Sequence, residues 1–268
     1  MAKMKKILII FIIMIGLTCV MVGCANHSDI KNSTEKSYNN EETSMYQLNE
    51  RQIKICEEAG LPTNYDELTP SQQSSIERIE ELLQYLDKTY NTTFFYKGYS
   101  NGGVLEGEWL EAYSAITSEL YPMRLEVDKN GNMSDNYYEV LAEILLGDDS
   151  QTYLNQHLDN QFKVFVSDCR MKNRKESGNM DDLNANVSAE FTVFVKGKSH
   201  KNDLEQYAQE LVKWFKLHDI YGRSNFIMVS DEYFKTLNVG NYGHAKLEDN
   251  TEISLSCDMS EDGIINIY

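Results

Sequence analysis

Ten residues, Val187 to Lys196, restrict the possible folds more than any other stretch of this chain. Val187, Ala189, Phe191, Val193 and Val195 alternate with Ser188, Glu190, Thr192 and Lys196. Strict period-two alternation of this length is the pattern of a β-strand with one buried face. It is long enough to predict a central strand. Behind it, Leu204, Tyr207, Ala208, Leu211, Val212 and Phe215 recur at helical spacing. That apolar stripe predicts a helix lying on a sheet, with Asn202 and Glu205 as a capping pair at its start. Ser224 to Ser230 then reads as a second strand.

The first half repeats this order of elements. Gln47 to Ala59 reads as a helix ended by Gly60. Thr69-Pro70-Ser71-Gln72 opens a longer one: Thr69 is the cap, Pro70 suits the first turn, and Gln72 completes a capping box. Ile76, Ile79, Leu83, Leu86 and Tyr90 form its apolar stripe. Strands are predicted at Thr92–Tyr99, Val104–Ser114 and Tyr121–Val127. A helix capped by Ser134 and stopped by Gly147 follows, then a shorter one over Ser150–Leu158, then a strand through Phe162, Val164 and Val166. Asp231 to Leu237 reads as a short helix. Tyr242–Glu248, Thr251–Cys257 and Gly263–Tyr268 read as a closing β-meander. The expectation is an α+β fold, antiparallel sheets with amphipathic helices packed on one face, in two related halves, 47–168 and 187–268.

Residues 1–46 are of another kind. Lys3, Lys5 and Lys6 precede an apolar run of roughly 15 residues, short of the roughly 20 that a membrane-crossing helix needs. A charged start, a short apolar middle and small residues at the end are the marks of a secretory signal. The run closes on Met21-Val22-Gly23-Cys24, which resembles the lipobox of bacterial lipoproteins. That resemblance covers the signal alone. It implies that 1–23 are cut away and that Cys24 becomes the new N-terminus carrying a diacylglyceryl group. The acyl chains would hold the protein to the membrane. Residues 24–46 are polar and without period, the composition of a flexible tether. The expected location is the extracytoplasmic face of the cell membrane in a single-membrane bacterium.

The whole chain has 25 basic and 42 acidic residues, a net charge of −17. Loss of residues 1–23 removes three lysines and no acids, leaving 22 against 42 and a charge of −20. Such a chain is repelled by phosphate, so nucleic acid is not an expected partner. Hydrophobic residues make up 41%, enough for a core in the roughly 220 residues beyond the tether.

Cys56, Cys169 and Cys257 remain after the signal and the lipidated residue are set aside. An odd count allows one disulfide and a free thiol, or buried free thiols. No CxxC pair, glycine-rich phosphate loop, GxSxG elbow or HExxH helix is present, and no two histidines share a ligand spacing. Neither a metal nor a cofactor is expected. Asp128 to Asn132 reads as a plain turn. Arg170, Lys172, Arg174 and Lys175 form a basic cluster in a stretch read as a loop, a docking patch for an acidic partner in one reading.

Glu106, Glu108 and Glu111 around Trp109 form the one candidate surface site. Paired carboxylates beside an aromatic ring are the minimum for glycoside chemistry. An exposed strand has the same composition. The leading expectation is a non-enzymatic lipoprotein that binds an extracellular protein or small ligand. The alternatives are an exported hydrolase acting on cell-wall or glycan substrates and the substrate-binding lipoprotein of a transporter.

Overall fold

The computed structural model describes residues 46–103, 106–172, 180–183, 187–197, 201–245, 251–260 and 265–267. The signal segment, Cys24 and all of the tether but Tyr46 lie outside the described residues, as do Arg174 and Lys175.

The architecture is α+β. Helix α1 (Glu50–Glu58) starts from Asn49 and Gln52, a reciprocal capping box. Helix α2 (Pro70–Tyr90) starts from the capping box of Thr69 and Gln72, with Pro70 in its first turn. Four antiparallel strands follow in chain order: β1 (Phe94–Ser100), β2 (Glu108–Ser114), β3 (Met123–Val127) and β4 (Met133–Asp135). Ile76, Leu82, Leu83 and Leu86 of α2 bury against Phe94, Leu110, Ala112 and Leu125 of the sheet. Tyr137 closes this core, its ring 4.5 Å from Tyr90 and 5.0 Å from Phe94.

Helix α3 (Tyr137–His157) serves both halves of the fold. Its first turns, Tyr137 and Val140, complete the first core, while Ala142, Leu146 and Leu154 enter a second. That second core lies under a five-stranded sheet, ordered β5 (Phe162–Met171), β6 (Val187–Lys196), β7 (Tyr221–Val229), β8 (Thr251–Met259) and β9 (Ile265–Ile267). Between β5 and β6 lies a single turn of helix, α4 (Met180–Leu183). Helix α5 (Lys201–His218) joins β6 to β7 and buries Leu204, Ala208, Leu211, Trp214 and Phe215 against this sheet. Two short helices, α6 (Asp231–Thr236) and α7 (Tyr242–Ala245), lie between β7 and β8.

Several expectations are corrected. Ser134 does not cap a helix; it lies in β4, and α3 begins after Asn136. Gly147 does not stop that helix, and no separate helix begins at Ser150, because α3 continues unbroken to His157. The reason is tertiary. Strand β5 packs against the helix here: a Cβ on Gly147 would stand 3.4 Å from the Val164 carbonyl oxygen, at the edge of ordinary contact. Asn202 and Glu205 lie inside α5. Tyr242 opens a short helix, where a strand was expected.

Strand β5, assigned by sequence to the first half, pairs with β6 and belongs to the second sheet. The pairing of β6 with β7 is parallel, as the intervening helix permits; the other strand pairs are antiparallel. The first sheet is a plain meander, whereas helices interrupt the strands of the second, so the two halves differ in both the order and the connection of their elements. Cys56, Cys169 and Cys257 are free thiols, each buried.

One sheet edge is sealed in an unusual way. Strand β5 is an edge strand, and α3 runs alongside it. The Asn155 side-chain oxygen accepts from the Phe162 N–H at 2.9 Å. Gln151 Oε1 accepts from the Val164 N–H at 3.1 Å, and Glu143 Oε1 accepts from the Cys169 N–H at 3.2 Å. Backbone donors that would otherwise invite another strand are thus satisfied from the helix.

Candidate functional site

Strand β2 carries Glu108, Trp109 and Glu111 of the sequence-predicted site, with Glu106 in the bend before it, and its pleat divides the three between two faces. Leu110, Ala112 and Ser114 are buried on the helix side, while Trp109, Glu111 and Tyr113 alternate with them on the other. Glu108 shares the helix side. Arg78 of α2 grips it through two bonds, Nε to Oε1 at 2.9 Å and NH2 to Oε2 at 2.8 Å. The Tyr99 hydroxyl donates to Glu108 Oε1 at 2.8 Å. These partners hold the Glu108 carboxyl below the usual carboxylate range. Glu108 therefore clamps helix to sheet.

Trp109 is also engaged. The Arg124 guanidinium carbon stands 4.6 Å from its ring centroid, a cation–π contact on the surface a sugar ring would need. Arg124 is in turn 3.1 Å from Glu126. Glu106 and Glu108 line a depression of about 330 Å³ with Trp109, Arg124 and Glu126; Glu111 does not. Two of the three acids thus share one depression, and Glu111 lies outside it.

A larger depression, about 500 Å³, lies on the second sheet. The face of that sheet turned away from α5 is covered at one end, where Phe194, Ile227 and Val229 pack with Phe234 and Leu237 of the short α6 region. Among the described residues the other end is open. Its floor is set by strand register: Glu190, Arg223, Asp258 and Asn266 fall in one row across β6, β7, β8 and β9, with Ser188 beside them. Arg223 Nε stands 2.9 Å from Asp258 Oδ1, and its NH1 stands 3.9 Å from Glu190 Oε1.

Asp168 and Arg170 of β5 also line the depression, and both are exposed. A β-bulge between Ser167 and Arg170 places them there. Asp168 takes a left-handed backbone, φ 51°, which aspartate tolerates better than most side chains. Neither side chain has a hydrogen-bond or ion-pair partner among the described residues. By sequence the strand ends before them and Arg170 falls in a loop. Lys172, from the same basic cluster, lies 5.3 Å from the Tyr221 ring centroid.

Behind the bulge sits Glu143 of α3, half-buried. Burial pushes its carboxyl up to about 7, the Cys169 N–H pulls the other way, and the charges of Asp168 and Glu139 add to the rise. Burial raises the Tyr121 and Tyr242 hydroxyls as well, and the charge of Glu143 adds to the rise of each. Tyr242 is held by stacking on Phe165, with centroids 4.7 Å apart. Among the described residues no cluster of histidine, cysteine and acids is arranged to hold a metal ion, and no helix is long and apolar enough to cross a membrane.

No protein-family model matches the chain, and no curated protein sequence matches it. A crystal structure of a DUF5037 family protein from Ruminococcus gnavus ATCC 29149 is similar over 67% of this chain and 90% of that one. Identity is 12% and the TM-score 0.39, too slight a likeness to carry an argument.

Proposed function

We propose that this chain is a membrane-anchored lipoprotein whose folded part binds a ligand or partner outside the cytoplasm. The observation that carries the reading is Met21-Val22-Gly23-Cys24 at the end of a basic and then apolar leader. In this reading Cys24 bears the diacylglyceryl group and residues after it tether the fold to the bilayer surface. The net charge of −20 keeps the body of the protein off anionic lipid. Support for binding comes from the open end of the second sheet, where side chains of both charges line a depression of about 500 Å³. The alternative, an exported hydrolase working through Glu106, Glu108 and Glu111, is weakened by the engagement of Glu108 with Arg78 and of Trp109 with Arg124.

Fractionation of the full-length protein beside a Cys24→Ala variant, with intact mass on the membrane form, tests the anchor. The expected result is a diacyl mass on Cys24 and loss of membrane retention in the variant. An uncut, unmodified chain would overturn it.

A further inference from the structure

The open depression on the second sheet has a charge pattern that specifies a ligand. On its floor Arg223 is already engaged, 2.9 Å from Asp258. Glu190 stands at 3.9 Å from the same guanidinium, a loose contact that leaves its carboxylate with capacity to accept. The rim differs. Asp168 and Arg170 are exposed, line the same depression, and neither side chain is hydrogen-bonded or ion-paired among the described residues. Two solvent-facing charges of opposite sign thus line one concave surface. The bulge between Ser167 and Arg170 is what turns both toward it, at the expense of a left-handed backbone at Asp168. Residues kept in sparsely populated conformations mark places where side-chain direction matters.

We propose that this depression binds a zwitterion of the short-peptide class, its ammonium group at Asp168 with Glu190 behind it, and its carboxylate at Arg170. A carboxylate matches the planar donor fork of arginine, which grips it bidentately. An ammonium group carries three donors and suits a pair of carboxylates. Ser188 on the floor supplies a neutral hydroxyl for the peptide bonds between. A purely anionic ligand would meet Asp168 and Glu190 unfavourably, and a purely cationic one would meet Arg170. The assignment rests on reading this face as the binding surface and does not depend on the anchor.

The test uses the full-length protein in detergent. A randomised tripeptide library with free termini, and the same library N-acetylated or C-amidated, are brought to equilibrium by dialysis, and retained peptides are measured by mass spectrometry. Retention of the free-termini library is expected, with a loss of about tenfold or more on blocking either end, the size of a charge-assisted contact. Arg170→Gln and Asp168→Asn should each weaken retention about tenfold, while Arg124→Gln on the first sheet leaves it unchanged. Asparagine is chosen because it too accepts the left-handed backbone, so the bulge is kept. Equal retention of blocked and free peptides overturns the zwitterion. No retention by protein that carries the diacyl mass overturns the ligand class and leaves the anchored lipoprotein standing. Retention by protein without that mass supports the site and removes the anchor.

Discussion

Arg51 holds Glu80 with one edge of its guanidinium, Nε to Oε2 at 2.9 Å and NH2 to Oε1 at 2.8 Å. The remaining nitrogen reaches Asp87 at 2.7 Å and the Phe94 carbonyl at 3.3 Å, while Asp87 accepts the Phe94 N–H at 2.7 Å. One side chain from α1 thus joins α2 and the start of β1. Glu80 is only 8% exposed, so removal of Arg51 leaves a nearly buried carboxylate without its counter-charge. Arg51→Met is expected to cost about 3 kcal/mol in urea unfolding. Arg51→Lys should recover only part of this, since one ammonium cannot reproduce the fork.

Gly222 lies where β6 and β7 run parallel. A Cβ there would stand 2.2 Å from the Ala189 carbonyl oxygen, a backbone atom that cannot move without parting the strands. Gly222→Ala is expected to destabilise by about 2 kcal/mol or more. At Gly98 the same atom would meet Trp109 and Glu111 at 3.6 Å or beyond, which is ordinary contact. Gly98→Ala should therefore change stability by less than about 1 kcal/mol. Paired thermal melts of the two variants check the contrast.

Glu143 makes stability depend on pH in a direction opposite to that of most carboxylates. Its folded value of about 7 lies above the ordinary 4.5, so between those values the folded chain keeps a proton that the unfolded chain has released. Stability therefore falls as pH rises through that window, and the penalty is full above about pH 7. The groups facing it do not relieve this: Glu139 on the same helix, Asp168 on β5, and the Tyr121 and Tyr242 hydroxyls. Glu143→Gln keeps an acceptor for the Cys169 N–H and removes the charge. It should be more stable than the native chain by about 1–3 kcal/mol at pH 8 and equal to it near pH 4.5. Denaturant unfolding at both pH values decides.

What the sequence discloses is what neighbours along the chain determine. The capping box of Thr69 and Gln72, the alternation of Val187 to Val195 and the stripe from Leu204 to Phe215 all appear in the structure where the spacing puts them. Gly147 misleads because the helix runs on through it, packed against a strand not yet formed at that point in the chain. Tyr242 misleads because its stacking on Phe165, a contact across the fold, is invisible to a period-two pattern. Glu108 and Glu111 look alike in sequence, yet one is consumed by Arg78 from a helix thirty residues earlier. The depression on the second sheet was illegible for a related reason. Its floor depends on the parallel register of β6 and β7, and its rim on a bulge that no local signal announces.

The contacts between α3 and β5 set two rulers of different pitch side by side. From Asn155 to Gln151 the helix covers four residues, about 6 Å, while Phe162 to Val164 covers two residues of strand, about 6.6 Å. From Gln151 to Glu143 is about 12 Å of helix, but Val164 to Cys169 would span about 16 Å of regular strand. The bulge between Ser167 and Arg170 absorbs one residue and brings the two scales back together. A single residue inserted into the middle of α3 would swing Glu143 about 100° around the helix axis, off the strand. The length of this helix is thereby tied to the bulge, so the kink that turns Asp168 and Arg170 outward can be neither lost nor moved without re-cutting α3.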